Sequence, residues 1–198
     1  MPLHRDVAAF EERASGYDRG WLGRFHHDIA SRTASLILSA GSPRRILDVG
    51  CGTGYLLRLL AGRLPAASDL VGIDPAQSMV RVARSSTTDE RLRFTSGVAE
   101  HLPYSDDTFD LVVSTTSFDH WSDQQAGLRE CARVLVPDGR LVLVDQLSYL
   151  LVPTLLAGHR GKARTRLRAE RLLRAAGLRS LAWHDIHAVI IKAVTATA

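Results

Sequence analysis

Three glycines at alternate positions, Gly50, Gly52 and Gly54, close an apolar run, Ile46-Leu47-Asp48-Val49. A helical pattern, Tyr55 to Leu64, starts at once, and a second apolar run ends on Asp74, twenty residues after Gly54. Strand, tight turn, helix and second strand make a βαβ unit, which commits the chain to parallel sheet with a crossover helix. Glycines in the first turn let the backbone approach a ligand and take φ values that a Cβ penalises. An acid at the tip of the second strand stands where a ribose diol can donate to it.

Two cofactor classes use that layout, and glycine spacing separates them. Dinucleotides favour G-x-G-x-x-G, with the pyrophosphate on the helix N-terminus. Here the third glycine comes one residue early, and Tyr55 stands where the dinucleotide pattern has Gly or Ala. Asp48, two residues before Gly50, reads as facing the ligand crevice. A carboxylate repels a pyrophosphate and attracts an ammonium or sulfonium. S-adenosylmethionine has both cations, a ribose and no phosphate. Asp48 to Gly54 resembles the first motif of the class I S-adenosylmethionine-dependent methyltransferases of the small-molecule type, and Asp74 resembles their ribose-binding acid.

Four further stretches carry the resemblance, in order: Arg13-Ala14 with Tyr17-Asp18, Val98 to Tyr104, Phe109 to Ser114, and Glu130 to Leu141. Together they cover roughly residues 10 to 195. The resemblance implies an α/β, Rossmann-like fold: a seven-stranded, mostly parallel sheet with helices on both faces and an antiparallel last strand between the fifth and sixth. The pattern along the chain agrees, since strand and helix alternate. We expect one methyltransferase domain over 1–198, with a helical cover over 1–40 and a core over 45–195. Expected strands are Arg45 to Val49, Leu70 to Asp74, Leu92 to Thr95, Asp110 to Ser114 and Arg140 to Val144. Expected helices are Tyr55 to Leu64, Pro75 to about Arg84, Asp123 to Leu135 and Ala163 to Ala176, the last stopped by Gly177. Pro137-Asp138-Gly139 reads as a turn and Gln146 to Gly161 as looser chain. Leu178 to Val194 reads as two strands joined by Trp183 to His187.

By resemblance, the cofactor contacts are Tyr17, Asp48, Gly50, Cys51, Gly52, Asp74, Pro75, Met79, Val98, Ala99, Glu100, Ser114 and Thr115. Gly50 and Gly52 place backbone against the methionine part, Asp48 holds its amino group and Asp74 takes the ribose hydroxyls. Asp74 also suits a helix cap ahead of Pro75, and Met79 suits the core. Many relatives carry Asp where Val98 stands, accepting from the adenine amino group. Valine cannot, at a cost of about 1 kcal/mol; Glu100 is a polar substitute. The product is S-adenosylhomocysteine.

Methyl transfer from a sulfonium needs alignment, and a base only where the nucleophile must lose a proton. Asp119 and His120, beyond the fourth strand at the crevice, are the acid–base candidates. His120 also suits a structural role ahead of the next helix. Trp21, Phe25, His26 and His27 read as pocket-lining or as packing residues.

Composition bounds the rest. No apolar run reaches the ~18 residues of a membrane span, and Met1 to Glu12 lacks a signal peptide's apolar stretch. Cys51 and Cys131 have no metal-ligand spacing, so no metal and a reduced, cytoplasmic setting are expected. The net charge is +4, yet residues 159–179 hold eight Lys/Arg and one acid, a net +7 that leaves −3 elsewhere. That segment reads as a solvated face, a field for an anionic substrate or a nucleic-acid contact. The expected partner is a small-molecule methyl acceptor, met by a monomer or homodimer without a membrane. A nucleic-acid methyltransferase and a non-catalytic cofactor-binding protein are the alternatives, with a nicotinamide dehydrogenase behind them.

Overall fold

A computed structural model describes residues 5–147, 165–187 and 190–198, and for residues 5 and 6 only the backbone. Seven strands form one sheet: β1 (Arg45–Val49), β2 (Asp69–Asp74), β3 (Leu92–Ser96), β4 (Phe109–Thr115), β5 (Leu135–Gln146), β6 (Arg179–His187) and β7 (Ile191–Thr197). Their spatial order is β3-β2-β1-β4-β5-β7-β6. The first five strands pair in parallel, while β7 runs antiparallel to both β5 and β6. The helices are α1 (Arg5–Arg13), α2 (Gly20–Ser39), α3 (Tyr55–Arg63), α4 (Gln77–Ser85), α5 (Gln124–Val134) and α6 (Arg166–Ala175).

The period of two in the strands sorts the core into two layers. Ile46, Leu111 and Val113 face one side, where they meet Ile29, Ala34 and Ile37 of α2 and Leu57 and Leu60 of α3. Leu47, Val49 and Val112 face the other side, against Leu128 and Cys131 of α5 and Ala169 and Leu173 of α6. Both faces are covered, which is why the central strands read as continuous apolar runs. The chain goes from β1 outward to β2 and β3, then returns to lay β4 on β1's other side. The carboxyl ends of β1 and β4 therefore flank the point where strand order reverses, and a crevice opens there.

Four boundaries differ from the sequence reading. Helix α4 begins at Gln77 with Ala76 as its cap, two residues after Pro75, because Asp74 Oδ1 accepts from Ala76 N–H (2.9 Å) and holds the chain extended there. Strand β5 starts at Leu135 and carries the Pro137-Asp138-Gly139 turn as a kink, with Asp138 left-handed at φ 61°. Trp183 to His187 belongs to β6; the link to β7 comes later, because pairing with β7 persists to His187↔Ile191. Helix α6 begins at Arg166, with Thr165 at its N-cap position but making no side-chain cap bond; Ala163, Arg160, Lys162 and Arg164 and most of the expected looser stretch lie outside the described residues. Among the described residues, no helix is long and apolar enough to cross a membrane.

The candidate cofactor site

A cavity of about 450 Å³ occupies the crevice, within the ~300–1,000 Å³ typical of small-molecule pockets. Its floor is the turn after β1. Gly50 and Gly52 line it with φ of 76° and 52°, a region that L side chains rarely enter. A Cβ on Gly50 would overlap Ser117, whose hydroxyl donates to Val49 C=O (2.9 Å) and lies 2.7 Å from Ser114 Oγ. A Cβ on Gly52 would meet no protein atom within 4 Å. That bare backbone faces the space a ligand would fill.

Asp74 closes the turn. Its Oδ2 accepts from Gly52 N–H (2.9 Å) while Oδ1 accepts from Ala76 N–H. It both braces the glycine turn and serves the α4 N-terminus. Each carboxylate oxygen keeps a lone pair for a further donor, and the residue lines the cavity. Burial raises its pKa, opposed by the two amide bonds.

Asp48 stands elsewhere than expected. It does not line the cavity, because the strand pleat turns it to the same face as Ile46, beneath the glycine turn. It is 2% exposed, and its Oδ1 has no hydrogen-bond partner. Burial first, and the nearby Asp74 charge second, push its pKa up to about 8. A buried carboxyl with an unsatisfied oxygen is costly and is relieved by a cation brought to the turn.

The other expected contacts divide. Tyr17, Pro75, Met79, Val98, Ala99 and Glu100 line the cavity, as does Thr115. Cys51 and Ser114 do not; both are turned into the protein, Cys51 against the α3 layer and Ser114 onto Ser117. Met79 is both wall and core, 1% exposed among Ala14, Ala76 and Phe10. Glu100 is engaged, its Oε1 accepting from Asp123 N–H (2.9 Å) at the start of α5. His120 is on the wall, with Phe10 edge-on at 5.1 Å. Asp119 is not; its N–H donates to the buried Asp145 (3.2 Å).

The N-terminal helices cover the cavity through contacts no local pattern reveals. Val7 and Phe10 of α1 line it. Glu11 reaches across to α4, accepting from Gln77 N–H (2.6 Å) and Ser78 N–H (3.0 Å). Asp18 Oδ1 accepts from Thr53 Oγ1 (3.0 Å) beside the glycine turn and lies 3.0 Å from His27 Nε2, whose ring stacks on Tyr55 at 3.7 Å. His26 sits behind the wall, 3.4 Å from Thr116 Oγ1 and 3.5 Å from the Tyr17 hydroxyl. Burial lowers the pKa of His26 and raises that of Tyr17 to about 12. Trp21, by contrast, is 73% exposed.

Sequence reasoning also missed Thr116 and Ser117. Thr116 is left-handed at φ 54°, costly for a β-branched residue and the kind of strain that gathers at functional sites. Among the described residues no Lys or Arg lines the cavity. A pyrophosphate would meet two acids and no cation there. An ammonium or sulfonium, a ribose and a base fit what is present.

Known proteins agree. The family model described as "Methyltransferase domain" matches residues 47–143, the stretch that holds the glycine turn, Asp74 and β4. The YcgJ protein of Bacillus subtilis is 30% identical in its crystal structure, with a TM-score of 0.65 over 79% of this chain and 70% of that one. The demethylmenaquinone methyltransferase of Deinococcus radiodurans is 40% identical over 132 residues, 66% of this chain and 51% of that protein. A chain of the Haloferax volcanii complex between the Trm112 methyltransferase activator and a methyltransferase shares the fold over 99% of both chains, at 22% identity and a TM-score of 0.78. The chain belongs to the class I S-adenosylmethionine-dependent methyltransferases. It spans about half the length of the curated relatives it matches.

Proposed function

We propose that this chain transfers a methyl group from S-adenosylmethionine to a small-molecule acceptor held under the N-terminal cover. The observation that carries the reading is the acid pair around the glycine turn: Asp74 on the wall, and Asp48 buried behind it with an unpartnered oxygen. When bound, the cofactor supplies an activated methyl on a sulfonium. The residues named here are proposed to hold it: Gly50 and Gly52 through bare backbone, Asp74 through the ribose diol, Asp48 through the field it sets behind the ammonium. Pro75, Met79, Val98 and Ala99 offer the base an apolar slot, with Glu100 and Thr115 at its margins.

The acceptor would lie on the cover side, among Val7, Phe10, Tyr17 and His120. Those groups suit a small, largely apolar or aromatic molecule, in keeping with the quinone-type acceptor in the name of the Deinococcus relative. For a hydroxyl acceptor, His120 would take the proton, next to Asp119, whose backbone N–H donates to Asp145. His26 holds the Tyr17 and Thr116 hydroxyls in position. A nucleic-acid acceptor has less support, since among the described residues none of the basic side chains of 165–179 lines the cavity. Arg166 is spent on Glu170 (2.9 Å) and on the Trp183 face. We place the reaction in the cytoplasm, with the two buried, unpaired thiols kept reduced.

Calorimetric titration of S-adenosylmethionine, S-adenosylhomocysteine and NAD, with Asp74→Ala beside the wild type, tests the reading. Micromolar binding of both adenosyl ligands, lost in the variant, is the expected result. Binding of NAD alone overturns it. Transfer of labelled methyl to a phenol or quinol, and none to total RNA, supports the acceptor class.

A further inference from the structure

The slot beside Asp74 is flanked by apolar side chains. Asp74 pairs with Ser96 across β2 and β3, and Gly97 N–H donates to the Asp74 carbonyl (3.1 Å). Residues 97–99 thus continue the wall beside the Asp74 carboxylate. A ribose held by Asp74 would leave its base to Pro75, Met79, Val98 and Ala99, which line the cavity beside it. All four side chains are apolar. Val98 is 45% exposed and opens the slot outward, while Ala99 is 6% exposed and closes its back. Glu100, the nearest carboxylate on that wall, turns Oε1 to the Asp123 amide at the start of α5.

A site that hydrogen-bonds a polar group rejects analogues lacking it, because its own buried groups are then left unpaired. An apolar slot leaves nothing unpaired. We propose that this site selects its cofactor by the sugar and amino-acid portions and does not read position 6 of the purine. It then takes nucleosides in which the 6-amino group is removed or alkylated, with larger substituents leaving through the opening at Val98. This rests on the cofactor assignment above.

The test uses three probes in calorimetry: S-adenosylhomocysteine, its 6-deamino purine analogue and its 6-dimethylamino analogue, all of which keep the N1 acceptor. The wild type is expected to bind all three within about fivefold of one another. Val98→Asp installs an acceptor at the opening and is expected to tighten S-adenosylhomocysteine about fivefold to tenfold, the worth of one hydrogen bond, leaving the analogues unimproved. Wild-type discrimination beyond tenfold overturns the proposal; loss of that discrimination in Glu100→Gln would assign the reading to Glu100. Failure of S-adenosylhomocysteine itself to bind overturns the cofactor assignment instead. A thermal shift on S-adenosylhomocysteine in each variant shows that its site has folded.

Discussion

Cofactor binding should expel a proton from behind the glycine turn. Asp48 has a pKa of about 8 in the free protein, so at pH 7 about nine-tenths of molecules carry it protonated. An ammonium brought to the turn favours the carboxylate, and the pKa falls toward the ordinary range near 4. Ionising Asp48 first costs about 1.4 kcal/mol at pH 7. Binding should therefore release close to one proton and tighten about tenfold from pH 6 to pH 7, flattening above pH 8. Titration in two buffers of different ionisation enthalpy counts the protons directly. S-adenosylhomocysteine should behave like S-adenosylmethionine, because both carry the ammonium. Asp48→Asn removes the titrating group and should leave only what Asp74 contributes. The linkage to folding has the opposite slope. A carboxyl raised in the native state binds its proton there and not in the unfolded chain between about pH 4 and pH 8. Stability then falls across that window by up to about 1.4 kcal/mol per pH unit, and Asp48→Asn should flatten the fall. No proton release by the wild type, or undiminished release by Asp48→Asn, refutes the reasoning.

Three further outcomes follow from named contacts. Gly50→Ala forces a Cβ into Ser117 at a positive φ; it should cost about 2–4 kcal/mol in urea unfolding and abolish adenosyl binding, and a wild-type midpoint would show that the turn yields. Asp18→Ala cuts the tie between the cover and Thr53, so trypsin should cleave at the exposed Arg13 and Arg19 about 5- to 30-fold faster, the scale of 1–2 kcal/mol in local opening; saturating S-adenosylhomocysteine should restore protection. His120→Asn should slow transfer to a hydroxyl acceptor by at least about 100-fold while leaving cofactor affinity in place, and a loss under fivefold would remove His120 from the chemistry.

The parts legible in the sequence are those whose cause is local. Alternate glycines demand positive φ within a few residues, and the apolar runs of β1, β2 and β4 record burial on both faces. The acid at the end of β2 falls beside the turn because the βαβ unit allows little else. What escaped has causes far apart in sequence. Glu11 meets α4 across 66 residues, and Asp18 meets Thr53 across 35. Each is one ordinary carboxylate on a helical pattern, and nothing nearby signals its partner. His26 reads in the sequence as either pocket-lining or packing, and only the folded chain sets it beside Tyr17 and Thr116.

Asp48 shows where pattern and geometry part company. A motif records that an acid belongs two residues before the first glycine, and the natural inference puts that acid on the ligand. The strand pleat sets it off the cavity wall: Leu47 and Val49 face one layer, and Asp48 faces the other, with Ile46. We propose that from there, buried and off the cavity wall, it acts through its field and its proton. Burial that would be lost at an open wall is the larger cause of its raised pKa, with the Asp74 charge second. A site built this way pays for an uncompensated carboxyl while empty and recovers that cost only with a cation. A phosphate-bearing ligand would raise the same pKa further and bind against it. Two features thus argue for a sulfonium nucleoside over a dinucleotide: the spacing of Gly50, Gly52 and Gly54, and the carboxyl buried beneath them.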